Sequence, residues 1–308
     1  MELFSKNKKN IYSRTLFIVV LAFVLYYIVE SFHDLSAHLQ QINYTSLFLS
    51  FFFTLISYLL SLFIWIDIAA SFGLKTSFMS AARAWSLSQL GKYIPGKAAL
   101  ILVRLNAYEN HPKRTVAVAT IVEFIAAVIA ACLLILFSIF FMKNMIPGYL
   151  RIIAALLSLF LLVLLHPKLL KYLTNILLIF FKREPIEDFP SFGLILKFVF
   201  INMLIGIPYG LGLFYSMDCF ADLSFNYLIP MIGIYYAASL AGIAALFAPA
   251  GLGVREGIIF LILPTIIAKG VVIAGTIMIR IVSIAVEICL ALFFYFYITL
   301  NNPFSNIF

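Results

Sequence analysis

Lys92, Lys97, Arg104, Arg255 and Arg280, together with Glu123, Glu256 and Glu287, are ionisable residues set within or beside long apolar runs. At the centre of a membrane helix each such residue costs on the order of 2.5 to 3.5 kcal/mol on insertion scales, so each needs a partner or a cavity. Glu123 falls about two turns into its run and Arg280 about two and a half turns into the last one; Glu287 follows Arg280 by two turns and shares its helix face. The chemistry these residue types support is capture of an anion. Ammonium and guanidinium groups would converge on a phosphate, while the three carboxylates balance their charge or exchange a proton. Mutual salt bridging is the alternative use of the same residues.

Several of these charges stand in interruptions rich in glycine and proline. LGKYIPGK carries Gly91, Pro95 and Gly96 beside Lys92 and Lys97, and APAGLGVREG carries Pro249, Gly251 and Gly253 beside Arg255 and Glu256. Proline removes a helix donor and glycine admits turns closed to other residues, so helix should stop at both places. Bare backbone at membrane depth survives only where protein or a water-filled cavity covers it, so both breaks are expected to wall a site. A half-helix that starts after such a break offers free N–H groups and positive partial charge, which suit a phosphate. GLGVREG lacks the Lys-Ser/Thr of a nucleotide-binding loop, so ATP is not expected.

The elements that must hold these residues follow from composition. The 308 residues are 64% hydrophobic and 11% charged, with mean hydropathy +1.11, which excludes a soluble domain because too little charge remains to wet a surface. At about 20 apolar residues per crossing, the length allows roughly six to eight helical segments and no separate soluble catalytic domain. The fold class is therefore all-α and polytopic, one integral membrane domain over 1–308. Full spans are expected at about 12–31, 46–70, 115–141, 149–166, 194–217 and 271–299, with two broken segments at about 78–104 and 227–268, read as re-entrant, the second being either one re-entrant hairpin or two full crossings. The first span follows Lys6, Lys8, Lys9 and Arg14, and Tyr26, Tyr27 and Glu30 stand where a cleavage site would need small residues, so it reads as uncleaved. KLLKYLTNILLIFFKR, 168–183, has basic ends and an apolar middle too short to span, and reads as an interfacial helix. Basic loops containing Lys75, Lys113 and Arg114, or Lys168 and Lys171, alternate with loops around Asp34 and 218–222 that lack Lys and Arg, which places the N-terminus in the cytoplasm.

A weak internal duplication sets 46–142 against 194–300, each a long span, a broken segment and a second long span. With re-entrant breaks the two halves would be inverted about the membrane plane, as in transporters. The net charge of +8 fits cytoplasmic loop bias and anionic lipid better than nucleic acid. Cys132, Cys219 and Cys289 lie far apart, and His33, His38, His111 and His166 lie near span ends, so neither a disulfide framework nor a metal site is expected. Asp67 and Asp218 sit near span ends, where solvation is the ordinary fate. Trp85 and Tyr93 are candidates to rest on a headgroup. No nucleophile elbow or hydrolase-like carboxylate pair is present, so no catalytic residues and no cofactor are assigned.

SLSQLGKYIPGKAALILVR from Ser86 to Arg104, APAGLGVREG from Ala248 to Gly257 and the closing IMIRIVSIAVEI resemble the lysylphosphatidylglycerol synthase transmembrane family over nearly the whole chain. The second motif departs from the family's frequent PGGLG by an Ala at 250. The resemblance implies a flippase-like membrane domain, which in the synthetases translocates an aminoacylated phospholipid made by a fused C-terminal domain. This chain reaches Phe308 just after its last span, so aminoacyl transfer is not carried over. The expected function is a lipid translocase for an anionic phospholipid or a polyprenyl-phosphate-linked glycolipid. The expected partners are membrane lipids, with a second copy or a lipid-modifying enzyme as protein partner. The alternatives are a non-catalytic assembly or regulatory partner of a lipid- or glycan-modifying enzyme, and an integral membrane glycosyltransferase, for which only His33-Asp34 could supply an outward acidic site.

Overall fold

The computed structural model describes residues 42–93, 98–142, 147–164, 168, 169, 171, 172, 175, 176, 191–245 and 248–301. The expected span at 12–31 lies outside them, as do Pro95, Gly96 and Lys97. The chain is an all-α polytopic membrane protein. Its helices are α1 (Tyr44–Ser71), α2 (Phe78–Leu90), α3 (Ala98–Ala107), α4 (Lys113–Phe141), α5 (Gly148–Leu164), α6 (Phe192–Asp218), α7 (Leu228–Ala244), α8 (Val254–Ile262) and α9 (Lys269–Asn301). Short 3₁₀ turns at Gly91–Tyr93 and Pro249–Gly251 follow α2 and precede α8.

Five helical stretches among the described residues are long and apolar enough to cross a membrane: α1, α4, α6, Phe225–Ala244 and α9. The stretch expected to span at 149–166 is α5, whose 17 residues fall short of that length. All six described residues of 168–183 are helical.

Local chemistry sets the helix ends. Asn43 caps α1, its side chain accepting from Thr45 N and Ser46 N at 3.0 and 3.3 Å. Ser77 and Ser191 cap α2 and α6 in the same way. In the second break Ala250, Gly251 and Gly253 take φ of 50°, 75° and 79°. The two glycines adopt this left-handed region freely, whereas Ala250 does so at a cost of about 1 kcal/mol. Gly251 is also required by space, because a Cβ there would come within 2.8 Å of Gly242 Cα on α7.

α1 and α6 form the central antiparallel pair. Ser46 Oγ donates to Asp218 Oδ2 (2.6 Å), Ser50 Oγ to the Gly212 carbonyl (2.9 Å), and at the far end Lys197 pairs with Asp67 (2.5 Å). Buried Ser46, Ser50, Thr54 and Ser57 recur every three or four residues along α1, and these small side chains let the two backbones approach closely. Of the two aspartates placed at solvated span ends by the sequence, Asp67 forms an exposed pair with Lys197, whereas Asp218 is tied into this seam and also accepts from Leu223 N at 2.9 Å.

The remaining helices arrange themselves around the pair by exchange. α2 folds back on α3 and α7 on α8, giving two helical hairpins whose tips are the two breaks. The α2–α3 hairpin packs on α9 and the α7–α8 hairpin packs on α4, so each hairpin rests on the long helix that closes the other half. His111 bonds the Lys75 carbonyl (3.0 Å), which puts both ends of the first hairpin at the Asp67 end of α1. Met217 of α6 lies against Gly275 of α9, and Asn43 N donates to the Cys219 carbonyl (2.9 Å), which puts both ends of the second hairpin at the opposite end. The hairpins therefore enter from opposite ends of the α1–α6 pair, and their tips meet between them.

A buried cavity where the two hairpin tips meet

The 3₁₀ turn at the first tip presents Lys92 and Tyr93, the first turn of α8 presents Arg255 and Glu256, and α9 presents Arg280 and Glu287 two turns apart. These six, with Tyr58 of α1 and Tyr235 of α7, line one cavity of about 30 Å³, room for a couple of waters or one small oxyanion. Five of the eight ionisable residues singled out in the sequence are thus brought to one place.

Their pairing is specific. Glu287, 2% exposed, accepts from Lys92 Nζ and from the Tyr58 hydroxyl on the same oxygen, with the Tyr93 hydroxyl also in hydrogen-bonding reach. Lys92 lies 5.7 and 5.5 Å from the Tyr58 and Tyr93 ring centroids, so electron-rich faces complete its shell. Arg280 stands 3.9 Å from Glu256 Oε1 and 3.5 Å from the Ala250 carbonyl, with its guanidinium 5.8 Å from the Tyr93 ring. Each charge on α9 therefore holds one hairpin: Glu287 the first, through Lys92, and Arg280 the second, through Ala250 and Glu256.

Arg255 is different. Its Nη2 donates to Ser239 Oγ (3.1 Å), its guanidinium stacks 5.3 Å from the Tyr235 ring, and the Tyr235 hydroxyl accepts from it. Among the described residues no carboxylate lies within salt-bridge distance of it.

The N-terminus of α8, expected to offer free amides to a phosphate, is partly closed by its own side chain. Glu256 Oε2 accepts from Gly253 N at 2.8 Å, reaching back over the first turn as an N3 glutamate does in a capping box. An anion at this tip would therefore meet side chains rather than these amides.

Arg104 and Glu123 lie elsewhere. They pair with each other in a separate buried box, with Arg104 Nε on Ser88 Oγ (3.1 Å), its guanidinium 3.9 Å from the Trp65 ring, and Trp85 Nε1 on Glu123 Oε1 (3.1 Å). Trp65 in turn donates to the Tyr108 hydroxyl (3.2 Å). Every polar group of this box has a partner, and it fastens the first hairpin to α1 and α4. Trp85 is spent there, whereas Tyr93 lines the cavity. Among the described residues no cluster of three or more metal-ligating groups exists, and all three cysteines are free thiols.

Tyr58, Tyr235, Ser239 and Thr276 were not singled out in the sequence. The available signal was a hydroxyl in the middle of an apolar helix, which must find a partner; Tyr58 in SYLLSL and Tyr235-Tyr236 in GIYYAA carry it. Compared with known proteins, the chain matches no family model and no curated protein.

Proposed function

We propose that this protein is a lipid translocase of the cytoplasmic membrane with its N-terminus inside, moving an anionic phospholipid or a polyprenyl-phosphate-linked glycolipid, and akin to the lysylphosphatidylglycerol synthase transmembrane family. The observation that carries this reading is the meeting of two hairpin tips at a cavity holding Lys92, Arg255 and Arg280. A headgroup needs such a path because its phosphate cannot cross hydrocarbon uncompensated, whereas its tails need none. Hairpins entering from opposite ends also supply two gates, one toward each leaflet, around a fixed middle. Basic residues gathered at the Lys75 end attract the headgroup from the cytoplasmic leaflet. Of the three carboxylates considered for charge balance or proton exchange, Glu123 does not face the cavity and Glu256 is held by Gly253 N and Arg280, so a coupled proton belongs to Glu287.

The test is reconstitution of the full chain into phosphatidylcholine vesicles carrying a trace of fluorescent phosphatidylglycerol, with dithionite quenching of the outer leaflet as readout. The wild type should expose the inner-leaflet label, and Arg255→Ala and Arg280→Ala should slow exposure by about tenfold or more, as loss of a buried charge contact of ~1.4 kcal/mol implies. A wild type that leaves the inner-leaflet label protected would sink the translocase reading and favour a non-catalytic assembly partner, and variants that flip at the wild-type rate would take the path away from this cavity.

A further inference from the structure

The charges of the cavity do not cancel. Lys92 is matched by Glu287 and Arg280 by Glu256, while among the described residues Arg255 is hydrogen-bonded to the neutral Ser239 and Tyr235 and feels Glu256 only from beyond salt-bridge distance. Among the described residues the lining therefore carries three positive and two negative groups, a net charge of one. An uncompensated charge at membrane depth is costly, and one monoanion neutralises it, whereas a dianion would leave a net negative charge in its place.

We infer that the cavity is charge-matched to a phosphodiester, whose single negative charge Arg255 receives, and discriminates against phosphomonoesters and diphosphates. This rests on the anion-site reading above and narrows it. A phosphodiester comes either from a glycerophospholipid or from a sugar joined to a polyprenyl phosphate, and both present the same singly charged group. Free polyprenyl phosphate, phosphatidate and diphosphate carriers bring at least one charge too many. An aminoacylated diester of the kind that the sequence resemblance implies is not favoured either, because its added ammonium groups cancel the negative charge that Arg255 would receive. Glu287 sets the count: with it neutral, the cavity carries two positive charges and suits a dianion.

The test measures binding to the purified full chain at pH 8 with four short-chain probes: dihexanoyl phosphatidylglycerol, dihexanoyl phosphatidate, lysyl-dihexanoyl phosphatidylglycerol and farnesyl-phosphoryl-glucose. The wild type should hold at least one diester about tenfold more tightly than phosphatidate or the lysylated lipid, the scale of one unmatched buried charge. Whether the glycerol or the farnesyl diester binds identifies the source. Arg255→Gln should weaken each diester that binds about tenfold, and Glu287→Gln should narrow or reverse the preference over phosphatidate. In the wild type itself, phosphatidate should gain on the diesters as pH falls through its second pKa of about 6, where it becomes a monoanion. This arm needs no variant to fold. Phosphatidate or lysylated lipid binding as tightly as the diesters, or a diester-to-phosphatidate ratio unmoved by both Glu287→Gln and pH, overturns the charge match while leaving an anion site. Failure of every probe to bind, or indifference to Arg255→Gln, overturns the anion site as well.

Discussion

At the scale of single residues, the buried charges differ in how fully they are matched: Arg104 has a carboxylate partner, whereas among the described residues Arg255 has none within salt-bridge distance. Arg104 is 1% exposed and has a partner on every side: a carboxylate, a hydroxyl and an indole face. Removing one member of such a buried pair strands the other, so Glu123→Gln should destabilise the protein by about 3 kcal/mol or more. The measurement is the midpoint of thermal unfolding in detergent, together with phosphatidylglycerol binding on the surviving folded fraction. Stability should fall and binding should not, the reverse of Arg255→Ala; a Glu123→Gln protein that is stable but cannot bind would move this box into the anion site. The sequence shows that both residues need partners, since charge in an apolar run is visible directly. It does not show which partner each takes. Arg104 and Glu123 are 19 residues apart on different helices, and Lys92 and Glu287 are 195 apart, so the choice is made by packing.

At the scale of elements, glycine and small polar residues decide where helices touch. Gly212 lies opposite Thr54, and a Cβ there would fall 2.6 Å from its Oγ1, so Gly212→Ala should open the α1–α6 seam at a cost of about 1 to 3 kcal/mol. Gly257 in α8 is exposed with nothing within 4 Å of a built Cβ, so Gly257→Ala should gain about 0.5 to 1 kcal/mol from helix propensity alone. Unfolding midpoints of the pair check this, and equal effects would mean that the seam is not closely packed. The breaks were legible because Pro249, Gly251 and Gly253 announce a stop, and two of them take the left-handed backbone that glycine permits. Both stretches also read as segments that fold back, and for 227–268 the sequence leaves open one re-entrant hairpin or two full crossings. Hydropathy counts apolar residues, and the 20 residues of Phe225–Ala244 suffice to cross, yet α7 turns at the break and packs back against α8. α5, expected as a span over 149–166, is helical over Gly148–Leu164, and residues 165–167 lie outside the described residues.

At the scale of the whole molecule, contacts within the bundle fix which ends lie together, and charge then orients it. Lys75, Lys113, Arg114 and Lys197 gather at the Asp67 end of α1, while Asp218, Asp222 and Lys269 lie at the other. Cytoplasmic loops collect lysine and arginine, so the Lys75 end should face the cytoplasm and Lys269 the outside. Cysteines introduced at Glu109 and at Lys269, in a chain with Cys132, Cys219 and Cys289 replaced by serine or alanine, should react from opposite sides. A membrane-impermeant maleimide should label Lys269→Cys in intact cells and Glu109→Cys only after the membrane is opened. The first hairpin begins and ends at the Glu109 end and the second at the Lys269 end, so this result would make each hairpin a gate toward one leaflet. Labelling of both positions from the same side would instead put both hairpin mouths on one leaflet, leaving a headgroup in the cavity no exit to the other, and translocation through this cavity would fail with it.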